Sequence, residues 1–151
     1  MKCLPPKGGS MRRIAFLLCM SAVLLGPASF GQDPSGEIPK ILSSGFDSYK
    51  MGGPGEAIRT WLRGSPAEGS QDAMNQFAVL RSAQDVYGAY RGFEIVSARQ
   101  ISPSTRIVYM TLDYEKGPLF AKFVLYHSEQ LGWIVTNLLF NTNETEVLPL
   151  Q

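Results

Sequence analysis

TRIVYMTLDYEKGPLFAKFVLYHSEQLGWIVTNLLFN, residues 105–141, decides the fold. Residues 105–114 are rich in β-branched and aromatic side chains and divide into two faces: Ile107, Tyr109 and Thr111 against Val108, Met110 and Leu112. That period of two is the signature of a strand. Glu115-Lys116-Gly117-Pro118 reads as a turn, 119–127 as the next strand, Ser128-Glu129-Gln130 as a second turn and 133–141 as a further strand. Upstream, 93–101 alternates Phe93, Ile95, Ser97, Arg99 against Glu94, Val96, Ala98, Gln100, and Ser102-Pro103-Ser104 joins it to 105–114. Strands of this length on short turns form an antiparallel meander. Strands three and four are apolar at nearly every position. Both faces of the sheet should therefore be covered, one by helices and the other by a pocket or a second subunit, because large apolar patches are rarely left open.

Further toward the N-terminus the period lengthens to that of a helix. Ile41, Leu42, Gly45, Phe46 and Tyr49 make one apolar stripe over residues 40–51. Gly52-Gly53-Pro54-Gly55 stops that helix, and Ala57, Ile58, Trp61 and Leu62 line a second short one over 56–63. Ser70 and Asp72 are candidate N-caps for a third over 72–87, which carries Ala73, Phe77, Leu80 and Tyr87 and ends at Gly88. Helices followed by hairpin-linked strands give an α+β class: N-terminal helices packed on a curved four-stranded antiparallel meander.

The first 31 residues read as a leader. Arg12 and Arg13 precede an apolar run of 12 residues, 14–25; Gly26-Pro27 breaks it and Ala28, Ser29 and Gly31 follow. This is the order of a cleavable secretory signal. The run is too short to span the roughly 30 Å hydrocarbon core of a bilayer as a helix. Cleavage is expected between Gly31 and Gln32, or alternatively after Ala28, with Met11 as the functional start. Residues 32–39 form a polar linker, 40–148 one domain and 149–151 a tail. Cys3 and Cys19, the only cysteines, fall in the leader, so the mature domain has no disulfide and no thiolate ligand. Removing the leader takes four bases and no acid, leaving ten bases against thirteen acids, a net charge of −3. Without a basic stripe, nucleic acid and anionic membrane surfaces are poor partners. An exported protein, periplasmic or secreted, with no integral membrane segment after cleavage, is the expectation.

The run from Tyr109 through Lys116-Gly117-Pro118 and 120–126 to Gly132-Trp133, which opens the last strand, resembles the nuclear-transport-factor-two-like superfamily over roughly residues 38–148. A cystatin-like arrangement of one helix on a sheet is the nearest alternative. The resemblance implies a cone-shaped α+β fold, in a superfamily that mixes isomerases, dehydratases and cyclases with non-enzymatic binding and dimerisation domains. Its catalytic members place an Asp or His inside the cone beside a Tyr or a second acid. Here the acid–base candidates are Asp47, Asp113 and His127, and each also reads as a solvated surface residue. The aromatic candidates for a ligand pocket are Tyr87, Tyr90, Tyr109, Phe123 and Trp133, which read equally as core and dimer face. One histidine and, once the leader is removed, no cysteine leave no metal-ligand pattern, and no cofactor is expected. The functional expectation is a non-enzymatic domain that binds a small apolar ligand or a protein partner and forms a homodimer through its sheet. The alternative is an isomerase or cyclase.

Overall fold

Gly53 bends the N-terminal part of the chain. Helix α1 spans Lys40–Leu62, but Gly53 sits at φ 75° and ψ −167°, outside helical space. Only glycine adopts that backbone at little cost. Pro54 then restarts the helix, where its missing N–H is no loss. The two arms, the two helices expected from sequence, fold back on one another. The Trp61 Nε1–H donates to the Leu42 carbonyl at 3.1 Å, and the Thr60 hydroxyl donates to Ser48 Oγ at 2.9 Å. Helix α2, Gln71–Tyr87, is capped by Ser70, whose Oγ accepts from the Ala73 N–H at 3.1 Å. Gly88 closes it by donating its N–H to the Gln84 carbonyl.

Strands β1 (Tyr90–Ser102), β2 (Thr105–Tyr114), β3 (Pro118–Ser128) and β4 (Gly132–Asn141) pair in sequence order, all antiparallel, and a 3₁₀ turn at Glu144–Glu146 follows. The structure, a computed structural model, describes residues 38–149. The leader with its cleavage point, most of the linker and the last two residues lie outside the described residues. Among the described residues no helix is long and apolar enough to cross a membrane.

The helices cover one face of the sheet. That face carries Phe93 and Ile95 of β1, Val108, Met110 and Leu112 of β2, Leu119, Ala121, Phe123 and Leu125 of β3, and Val135, Leu138 and Phe140 of β4. Against it pack Leu42, Phe46, Trp61, Leu62 and Leu80 from the helices. At the centre Phe46, Trp61, Phe123 and Phe140 meet edge-on or tilted, with ring centroids 5.0 to 6.0 Å apart. Each buried ring contributes about 1.5–3 kcal/mol relative to an exposed one.

Strict alternation fails in two strands. Between Ile95 and Ser97 the β1–β2 register slips by one residue, so Val96 is an unpaired extra residue and stands exposed. Ala98, not Ser97, then joins Phe93 and Ile95 on the core face. β4 slips in the same way at Thr136. A β-bulge inserts a residue into one strand and re-aims everything beyond it.

Candidate functional site

At the end of the sheet where β1 begins and β2 finishes, tyrosines from four elements meet. Tyr49 comes from the first arm of α1, Tyr87 from the last turn of α2, Tyr90 from β1 and Tyr114 from β2. The Tyr49 and Tyr114 hydroxyls share a buried hydrogen bond of 3.0 Å. The Tyr90 ring lies 4.4 Å from that of Tyr49 and 5.9 Å from that of Tyr114. Its hydroxyl is buried and has no hydrogen-bond partner. The surrounding chain locks this corner: Lys116 N–H donates to the Tyr87 carbonyl, Glu115 N–H to the Ala89 carbonyl, and Arg91 pairs with Glu115 at 2.7 Å. Asp85, in the last turn of α2, is exposed.

Burial raises all three inner phenols above the ordinary tyrosine range. For Tyr90 the desolvation is reinforced by Tyr49, Asp113 and Asp47 nearby; for Tyr114 it is reinforced by the bond to Tyr49; for Tyr49 that same bond works against it. These groups therefore stay protonated at neutral pH. They can donate hydrogen bonds to an acceptor such as a carbonyl, but they are poor general bases.

Raised phenol pKa values also set a pH dependence. The unfolded chain gives up its tyrosine protons near pH 10, before the folded chain does. The protonated phenols stabilise the fold fully below that pH, and their contribution falls as pH rises above it. Phenolate absorbance should show Tyr49, Tyr90 and Tyr114 titrating only with alkaline unfolding, and stability to urea should drop steadily from about pH 10 upward.

The residues singled out from sequence go to separate places. Tyr87 and Tyr90 belong to the tyrosine corner. Phe123 is in the core centre with no exposed surface. Trp133 lies at the opposite end of the sheet, with His127 edge-on at 5.2 Å and the Arg106 guanidinium over its ring at 5.4 Å; Arg106 Nε also donates to Gln100 at 2.9 Å. Tyr109 points to the other face of the sheet. Asp47 and His127 are exposed, while Asp113 is half-buried and shares that other face with Tyr109. Among the described residues no three His, Cys, Asp or Glu side chains converge as a metal site.

The other sheet face is the second candidate surface. From the register it carries Glu94, Ser97 and Arg99 of β1, Ile107, Tyr109 and Thr111 of β2, Phe120, Lys122 and Val124 of β3, and Ile134 and Leu139 of β4. Among the described residues no helix lies against it, because both helices pack on the opposite side. At its middle Tyr109 sits directly across from Lys122, flanked by the pairs Ile107–Val124 and Thr111–Phe120. Sequence reasoning missed Lys122 as the centre of this face, and Tyr49 and Tyr114 as partners. All three have the right spacing in their own elements, but the pairing comes only from long-range contact.

Compared with known protein families, with curated proteins and with solved structures, this chain matches none.

Proposed function

We propose that this chain is an exported, non-enzymatic binding domain of the nuclear-transport-factor-two-like kind, whose working surface is the uncovered sheet face and which pairs with a second copy through it. The observation that carries the reading is the contrast between the two faces. One is closed by helices to zero exposure at Val108, Met110, Leu112, Ala121 and Phe123, with only its β1 edge half-buried, and the other presents Ile107, Tyr109, Phe120, Val124, Ile134 and Leu139 half-buried with no described element above them. Four strands of about ten residues cover roughly 600 Å2 in projection at the usual strand spacing and rise. That approaches the ~800 Å2 per partner of a standard protein interface.

The face is also self-complementary. Two sheets stacked about 10 Å apart with aligned strands, related by a two-fold axis parallel to the strands between β2 and β3, would set Tyr109 over the partner copy's lysine and Lys122 over its tyrosine. Ile107 would meet valine and Thr111 phenylalanine. Among the described residues the two ion pairs are Arg59–Glu56 and Arg91–Glu115, so Lys122 is not held by a carboxylate. A cation over an aromatic ring contributes about 0.5–2 kcal/mol. The leader-like residues 12–31 support export as the route to its compartment.

Native mass spectrometry of the chain expressed with its leader in an exporting host tests this reading. A bare dimer beginning near Gln32 is expected. Extra mass released on denaturation would point to the small-ligand version. A strict monomer without added mass would sink the proposal. Lys122→Glu places a carboxylate against each ring and should weaken the dimer about ten- to hundredfold by sedimentation, through two lost contacts, whereas Tyr109→Phe keeps the ring and should leave it intact.

A further inference from the structure

We propose that the recess between α2 and the edge of β4 binds a planar amide bearing an N–H, supplied by a peptide main chain or a carboxamide side chain. This surface is distinct from the sheet face discussed above. β4 is an edge strand. The Phe140 N–H donates to Gln76 Oε1 of α2 at 2.7 Å, so it points away from β3. Main-chain groups two residues apart leave a strand on the same side. The Leu138 N–H and C=O therefore also point outward, with no main-chain partner there. The bulge at Thr136 bends the strand just before this point.

A cavity of about 290 Å3 opens here, lined among others by Leu62, Ala67, Ser70, Asp72, Gln76 and Leu138. Leu138 is only 7% exposed, and an unpaired N–H and C=O in such a setting are costly to leave empty. Gln76 already shows the chemistry one rung along: a planar carboxamide oxygen takes the edge N–H of Phe140. A carboxamide at Leu138 would accept from the N–H through its oxygen and donate its syn N–H to the carbonyl, and a peptide would make the same two-bond clamp with the C=O and N–H of one residue, which belong to successive peptide units because a single trans unit points them apart. The one charged side chain in the lining is the Asp72 carboxylate, which favours a donor-bearing ligand and disfavours an anion. The volume lies just under the roughly 300–1,000 Å3 range of ligand sites, room for a carboxamide or a single blocked residue.

Nitrogen–proton correlation spectra of the labelled full chain would be titrated with N-acetyl-alanine N-methylamide, propionamide, N,N-dimethylpropionamide and glycerol. The Leu138 cross-peak should move saturably with one or both of the first two, at concentrations on the order of millimolar. A stronger response to the blocked alanine identifies a main-chain source, and a stronger one to propionamide a side-chain source. The dimethylated amide, which lacks an N–H, should bind at least about tenfold more weakly. Ala67→Leu, which fills the recess, should abolish the shift. No saturable shift, an equal response to the dimethylated amide or to glycerol, or a shift that survives in Ala67→Leu overturns the proposal. If Ala67→Leu does not fold, the comparison of the two propionamides on the parent chain decides.

Discussion

Replacing Gly45 with alanine is expected to destabilise the protein by about 3 kcal/mol, the upper end of what overpacking a core costs. On helix propensity alone the sign should be opposite, since alanine is better than glycine inside a helix by about 1 kcal/mol. The difference lies in Trp61. A Cβ on Gly45 would overlap its indole ring at Nε1, Cδ1 and Cε2. The indole cannot step aside. It has no exposed surface, its N–H is held by the Leu42 carbonyl, and Phe46, Phe123 and Phe140 surround it. Gly45 is therefore the point where the two arms of α1 come close enough for Trp61 to cross between them. Urea unfolding would measure the loss. Adding Trp61→Leu to Gly45→Ala should cost clearly less than Trp61→Leu costs alone, because residues in direct contact do not add. Full additivity would mean that the arms separate rather than pack.

Phe123→Ala is expected to cost about 3–5 kcal/mol, the usual range for truncating a buried aromatic. Phe123 lies mid-strand in β3 and touches Phe46, Trp61 and Phe140, rings from both arms of α1 and from β4. Its removal leaves a cavity that three rigid rings from two layers cannot close together. Phe123→Leu retains most of the volume and should cost less than half as much. The neighbouring Val124 faces the other side, where no described element packs, so Val124→Ala in a monomeric background should cost under about 1 kcal/mol. Comparable losses at 123 and 124 by denaturant midpoint would show that the second face is as closed as the first, and would remove the basis for reading it as a binding surface.

The period of each segment was legible because it is a local property. The alternation in 105–114 and 133–141, the stripe through Leu42, Phe46 and Tyr49, the glycine–proline break at 52–55 and the cap at Ser70 all depend on neighbours within four residues. They set the class, the order of elements and nearly every boundary. The slips at Val96 and Thr136 were not legible, since a bulge exists only relative to the strand beside it, and nothing in either residue type demands one. For that reason strict alternation put Ser97 on the wrong face.

Function depends on the same long-range step. Tyr49 and Tyr114 are 65 positions apart, and Gln76 and Phe140 are 64 apart; no local pattern links either pair. The aromatic residues chosen from sequence were correctly read as large and apolar, yet composition cannot say which layer a ring enters, and they went to the tyrosine corner, the core centre, the far end and the outer face. The sequence by itself determined that three helical segments would be buried on one side of a four-stranded meander, because periodicity encodes which side of each element is apolar. Only the tertiary structure decided that no described element covers the other side, that Lys122 stands at its centre and that the Leu138 main chain opens into a recess, because register and the approach of α2 are set by packing between elements rather than within them.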